Sequence, residues 1–250
     1  MNYIFDYGAT IDTPGNHWGK TIWHAYERAG VPICEDTFRD AYVYAERYLG
    51  SHDVISTTDT FHTTLSVKLR LQLEYLSSQG QISLKPSETF EPSETFETSD
   101  LHATLLNDLY SMTVRNVASS KAVLEQLKAE GHNLGVVSNF YGNIEAVLKE
   151  FSLLPLFTAV VESATEGIRK PDPRLLDLCM ERMKAIPAET IVIGDHLSKD
   201  IQPAKTLGCT AVWIKGEPWS DEHDKLSDIT PDHTISSLPE LLGNDAPWRR

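Results

Sequence analysis

Four short stretches of this sequence hold residue types that chemistry can use. The first is Asp6, which follows the apolar run Tyr3-Ile4-Phe5 and precedes the small residues Gly8-Ala9-Thr10. The second is Ser138-Asn139, after Leu134-Gly135-Val136-Val137. The third is Lys170, within Gly167-Ile168-Arg169-Lys170-Pro171-Asp172-Pro173. The fourth is Asp195 with Asp200, in Gly194-Asp195-His196-Leu197-Ser198-Lys199-Asp200. A carboxylate at a strand end can attack a phosphoryl group and divide one hard displacement into two easier ones. Asp6, Asp195 and Asp200 are hard oxygen donors that suit Mg²⁺, a cation that keeps several waters and takes few protein carboxylates. Ser138 can donate a hydrogen bond to a phosphoryl oxygen. Lys170 can balance nucleophile against phosphate and stabilise charge that develops during transfer. Taken singly, each has an ordinary structural reading, since an aspartate after a strand commonly caps a helix. Their order along the chain argues against chance.

The elements that must position these residues are strands. Residues 133–138, 158–162, 190–194 and 210–214 are β-branched and nearly continuous in apolar character, as strands covered on both faces are. Helical patterns separate them at 120–130, 143–151, 174–184 and 198–207. Such alternation predicts an α/β fold with a parallel, doubly wound sheet, whose site lies outside the carboxyl ends of its strands. Residues 14–115 differ: their periodic stretches at 17–29, 35–48 and 60–76 read as helices, with no strand of comparable quality between them. They form an expected helical insertion in a core made of residues 1–13 and 116–250. Inside the insertion Pro86-Ser87-Glu88-Thr89-Phe90-Glu91 is repeated at once from Pro92 to Glu97, which reads as an acidic, solvated loop.

The 250-residue chain, 41% hydrophobic, is long enough for a sizeable core. It has no apolar run of about 18 residues, so no membrane span is expected, and its first residues do not read as a secretory signal. A net charge of −14 disfavours nucleic acid and anionic membranes as partners, but not a small anionic substrate in a pocket with local cations. Cys34, Cys179 and Cys209 are far apart and odd in number, which predicts reduced, mostly buried thiols and a cytoplasmic setting. Nothing in the sequence fixes monomer or homodimer.

With its four motifs in this order and a helical insertion between the first two, the chain resembles the haloacid dehalogenase-like (HAD) superfamily over essentially its whole length. The resemblance is strongest at Gly-Ile-Arg-Lys-Pro-Asp-Pro and at Gly-Asp-x-x-x-x-Asp. It implies a Rossmann-like core with a helical cap and a Mg²⁺-dependent phosphohydrolase of small phosphorylated metabolites. Carried over by position, Asp6 would be the nucleophile and a metal ligand. Asp195 would be the second carboxylate on the metal, Asp200 would support it through water, and the Gly8 carbonyl would complete the shell. Thr10, Ser138 and Asn139 would bind the substrate, and Lys170 would serve catalysis.

The chain departs from that pattern at Gly8, where the family usually carries a second aspartate as general acid and base. Such a group is typically worth about 10²–10⁴-fold in rate. Three outcomes stay open: a slow phosphatase that favours good leaving groups, a phosphatase that recruits another group, or a regulatory module that binds Mg²⁺ and phosphate without turnover. Asp12 and His17 are the nearest recruits, although Asp12 also reads as a turn or cap residue and His17 as a helix-start residue. His196 should lie near the pocket, while Trp18 and Trp23 read as packing residues of the insertion. A haloacid dehalogenase would use the same aspartate without metal, and the acids at 195 and 200 argue against it. Phosphonate cleavage would need a Schiff-base lysine, for which Lys20 is the early candidate.

Overall fold

The computed structural model describes residues 1–83, 100–219 and 229–243; the acidic repeat lies outside them. Six parallel strands form one sheet in the order β3-β2-β1-β4-β5-β6. They are β1 (Asn2–Phe5), β2 (Asn133–Ser138), β3 (Ala159–Glu162), β4 (Thr190–Gly194), β5 (Thr210–Ile214) and β6 (His233–Ile235). Phe5 of β1 is level with Val136 of β2 and Ile193 of β4, so three site-bearing strands end side by side at the sheet centre. β6, three residues long, carries too little apolar pattern to be read from sequence.

The side-chain alternation of each strand feeds two cores. Tyr3, Phe5, Leu134, Val136, Ile191 and Ile193 point to one face, and Ile4, Val137 and Val192 to the other. The second face is covered by α7 (Arg174–Met183) and α8 (Gln202–Leu207), where Leu175, Leu176, Cys179 and Ala204 are buried. Gly135 faces α7: a Cβ there would lie 2.5 Å from the Met183 sulfur. The first face is continuous with the insertion, made of α1 (Trp18–Arg28), α2 (Glu35–Ser51), α3 (Phe61–Ser78) and the first part of α4 (Asp100–Ala129). Short helices α5 (Ile144–Glu150) and α6 (Ser163–Glu166) follow β2 and β3.

α4 is one continuous helix of 30 residues. It runs straight through position 115, where the sequence put the end of the insertion, and it packs on α1 and α3 as well as on β2. Cys179 and Cys209 are buried and Cys34 is exposed; all three are free thiols. Among the described residues no helix is long and apolar enough to cross a membrane.

Candidate active site

β1 delivers Asp6 to the sheet edge. Its backbone N–H still donates to the Ile193 carbonyl at 2.9 Å, so the carboxylate leaves the sheet from a fixed peptide. Ser138 ends β2 and is 2% exposed; Asp195 follows β4. All three lie at carboxyl ends, on either side of the point where strand order reverses.

Lys170 joins them from the loop after β3. Its ammonium donates to Asp6 Oδ1 at 2.6 Å, to Asp200 Oδ1 at 2.6 Å and to the Val137 carbonyl at 3.1 Å. Three N–H groups have three acceptors, so the buried cation is fully satisfied. Asn139 fixes the loop: its Nδ2 donates to the Lys170 carbonyl at 3.0 Å, and its Oδ1 accepts the Lys170 N–H at 3.0 Å. Asp200 arrives on the wide helical turn Leu197–Ile201, and its Oδ2 accepts the His196 N–H at 3.1 Å. Its carboxylate lies against Gly194, where a Cβ would meet Asp200 Cγ at 2.4 Å. Only glycine allows that approach.

The electrostatics follow from one cation among three acids. Burial pushes Asp6 up to about 6 against the pull of Lys170, and Asp200 adds to the rise. Burial, with Asp200 and Asp6 next, holds the Asp195 carboxyl well above its ordinary value. Burial alone would lower Lys170, but Asp200 and Asp6 keep it above the usual lysine value. One oxygen from each of Asp6, Asp195 and Asp200 lies within 4.8 Å of the others. Three crowded acids, all offering oxygen and two of them held above the ordinary carboxylate value by burial, fit a hard divalent cation such as Mg²⁺.

These groups line a cavity of about 200 Å³. Its other wall comes from the insertion and from the loop after β2, and includes His17, Trp18, Tyr42, Glu46, Lys68 and Tyr141. The volume is below the roughly 300–1,000 Å³ of drug-sized ligand sites, which suits a small metabolite. Trp18 lines this cavity, against the expectation that it only packs the insertion, and its Nε1 donates to Asp12 Oδ2 at 2.8 Å. Trp23 does pack, 9% exposed, against Phe38.

Gly8 lines the cavity, and a Cβ built there meets nothing within 4 Å. Neither sequence neighbour fills that space as a proton carrier. Asp12 is fully buried and does not line the cavity; it accepts the Ala9 N–H at 2.7 Å besides the Trp18 indole, and burial raises it to about 7. His17 does line the cavity, but its Nδ1 accepts the Gly19 N–H at 3.0 Å as the cap of α1. That bond needs Nδ1 bare and puts the ring proton on Nε2, leaving a donor rather than a base. His196 lines the cavity as well, with Nδ1 accepting from Ser198 N at 3.3 Å.

Thr10 stands apart from the expected site. Ala9 adopts a left-handed φ of 60°, the turn closes with Ile11 N donating to the Tyr7 carbonyl at 2.8 Å, and Thr10 is turned into the interior at 0% exposure. Its hydroxyl has no hydrogen-bond partner among the described residues. Asn139 lines the cavity, yet both ends of its amide are spent on the Lys170 peptide, so it positions the lysine. Lys20 pairs with Glu35. The sequence reading missed Lys68, Glu46, Tyr42 and Tyr141. A signal existed for Lys68: it interrupts the buried stripe Phe61, Leu65, Lys68, Gln72 at helical spacing.

The sequence profile of the haloacid dehalogenase-like hydrolase family matches residues 53–214, which include Ser138, Lys170, Asp195 and Asp200. The haloacid dehalogenase-like hydrolase domain-containing protein 3 of Danio rerio is 34% identical over 125 residues, 50% of each chain. A glyceraldehyde 3-phosphate phosphatase of Pyrococcus furiosus is 30% identical over 131 residues, 52% of this chain and 54% of the relative. The chain thus spans about half the length of the curated relatives it matches. The crystal structure of a HAD phosphatase from Thermococcus onnurineus superposes over 96% of this chain and 95% of its own, at 22% identity and a TM-score of 0.50, a likeness of fold.

Proposed function

The chain belongs to the haloacid dehalogenase-like hydrolase family, and from that premise we propose that it is a Mg²⁺-dependent phosphohydrolase of small phosphorylated metabolites. The observation that carries this reading is the buried ammonium of Lys170, shared by Asp6 and Asp200 beside Asp195. Relatives named glyceraldehyde 3-phosphate phosphatase support phosphate-ester chemistry. Residues 14–115 act in this reading as a cap over a core of residues 1–13 and 116–250, and the free thiols fit the reducing cytoplasm.

An oxygen of Asp6 attacks phosphorus, and the bond from phosphorus to the leaving oxygen breaks with its electron pair on that oxygen, which takes up a proton. Water then attacks the aspartyl-phosphate and returns the Asp6 carboxylate and inorganic phosphate. Lys170 holds the attacking carboxylate in place and offsets charge on the phosphoryl oxygens, and Ser138 donates to one of them. Asp6, Asp195, the Gly8 carbonyl and, through water, Asp200 would hold Mg²⁺. Bound there, the cation neutralises the acids and the phosphoryl group together. Without a cation, Asp195 and Asp200 beside Asp6 are costly, which disfavours a metal-free dehalogenase.

The open space above Gly8 favours a second reading, a module that binds Mg²⁺ and phosphate with little turnover. Phosphate release from a panel of alkyl, aryl and acyl phosphates separates the two. The hydrolase reading expects activity that Asp6→Asn abolishes; equal rates for both proteins refute it.

A further inference from the structure

On the insertion side, the cavity wall carries an ion pair that the phosphate chemistry does not use. Lys68, on α3, is 9% exposed, and its ammonium pairs with Glu46 Oε1 of α2 at 2.6 Å. Tyr141, from the loop after β2, donates its hydroxyl to Glu46 Oε2 at 2.8 Å. The ammonium also lies 5.3 Å from the centre of the Tyr141 ring and 6.0 Å from that of Tyr42. All four residues line the same cavity as Asp6 and Ser138. With its Lys68 end buried and its Glu46 side chain 32% exposed, the pair is weak support for a fold. Its placement on a cavity wall calls for a use there.

We propose that the Lys68–Glu46 pair, held by Tyr141, selects the leaving group: it accepts phosphomonoesters whose leaving group carries neutral hydroxyl or carbonyl oxygens, and it rejects those carrying a second negative charge. The inference rests on the phosphohydrolase reading and concerns the part of the substrate that reading leaves unspecified. Lys68 has three N–H groups and one carboxylate partner, so it can donate to a ligand oxygen, and Glu46 Oε2, which already accepts from Tyr141, can accept a further hydroxyl. A neutral diol or hydroxy-carbonyl meets a donor and an acceptor side by side and leaves the ion pair intact. At this pair a carboxylate or second phosphate meets charges that cancel, and attraction to Lys68 is offset by repulsion from Glu46. The aromatic rings of Tyr42 and Tyr141 supply surface for the carbon skeleton.

The test uses the full chain in an Asp6→Asn background, where turnover is blocked, with Mg²⁺ present. Calorimetry gives affinities for inorganic phosphate, glycerol 1-phosphate and 2-phosphoglycolate. Glycerol 1-phosphate should bind more tightly than 2-phosphoglycolate. Lys68→Met should lower the ratio of glycerol 1-phosphate to inorganic phosphate affinity by about ten- to hundredfold, the loss of a hydrogen bond to a charged group. Glu46→Gln, which leaves Lys68 without its counter-charge, should shift the preference toward 2-phosphoglycolate by at least about tenfold. Melting temperatures report folding. If Lys68→Met does not fold, Glu46→Gln and the double variant Lys68→Met/Glu46→Gln carry the test, the latter expected to show no preference. Phosphate binding with affinity ratios that no variant moves, or tighter binding of 2-phosphoglycolate to the parent, overturns this inference alone. Failure of inorganic phosphate to bind overturns it together with the hydrolase reading.

Discussion

Replacing Gly8 by aspartate is the most direct probe of the chemistry. The backbone there does not require glycine, and an added Cβ meets nothing within 4 Å, so the new carboxyl enters empty cavity without strain. It joins Asp6, Asp195 and Asp200 around one lysine. Two carboxylates roughly 5 Å apart repel by ~3 kcal/mol at an effective dielectric of ~20, equivalent to about two pKa units. The new group should therefore titrate at pH ~6, so that about half of it can hand a proton to a leaving oxygen at that pH. General acid–base help of about 10²–10⁴-fold is the expected ceiling, or ~3–5 kcal/mol of barrier. The gain must depend on the leaving group. Alkyl phosphates, which leave as poor alkoxides, should gain orders of magnitude. Acetyl phosphate, whose leaving group needs no proton, should gain little. Initial rates on the two substrate types, for wild type and Gly8→Asp with matched melting temperatures, decide it. No gain on alkyl phosphates would show that another group already moves the proton, and would refute the defect assigned to Gly8.

Three further outcomes follow from the same geometry. Lys170→Met leaves Asp6 and Asp200 buried without their cation; a loss of ~3–5 kcal/mol is expected, read as a lowered melting temperature that Mg²⁺ partly restores. Asn139→Ala removes both bonds to the Lys170 peptide and should lower kcat by about tenfold, from ~1–2 kcal/mol of lost positioning; an unchanged kcat would show that the loop holds Lys170 by itself. The pH dependence has a fixed sign. Asp6 and Asp12 release protons near 3.8 when unfolded and at about 6 and about 7 when folded, so their stabilisation of the metal-free protein is full below 3.8 and is lost as pH rises through 6 to 7. Mg²⁺ binding should then release protons near pH 6, and the melting-temperature gain from Mg²⁺ should grow between about pH 5 and 7, checked by calorimetry in buffers of different ionisation enthalpy.

Much of the sheet was legible because buried parallel strands write themselves as β-branched runs: 133–138, 190–194 and 210–214 match β2, β4 and β5 residue for residue. Helix existence was equally plain, but α4 was read only from 120, since its first twenty residues follow a stretch without apolar rhythm. Asp6, Ser138, Lys170, Asp195 and Asp200 converge because each stands at the carboxyl end of an apolar strand or in the segment after one. What escaped reading depends on partners distant in the chain. Lys68 stands in the buried stripe of α3, but its partners, Glu46 of α2 and Tyr141 of the core, are not visible from that spacing. Thr10 was misplaced because spacing along a chain does not reveal that Ala9 turns left-handed. Asn139 was expected to bind the substrate; it lines the cavity, and its amide serves a peptide 31 residues away.

The continuity of α4 has a mechanical consequence. Upstream, His102 Nε2 sits 2.9 Å from the Ser66 carbonyl of α3, and Asp108 pairs with Arg28 of α1. Downstream, Asn116 Nδ2 and Ser120 Oγ donate to the carbonyls of Asp12 and Ile11, in the turn that leads away from Asp6. One rod thus gears the wall bearing Lys68 to the loop bearing Asp6. Adding a single residue between 108 and 116 would rotate one half against the other by about 100° and shift it by about 1.5 Å. Adding seven would restore the phase to within ~20° while lengthening the rod by about two turns. This spacer can therefore be lengthened without loss of register only in near-whole turns, and the angular setting between the Lys68 wall and the Asp6 loop is stored in a count of residues.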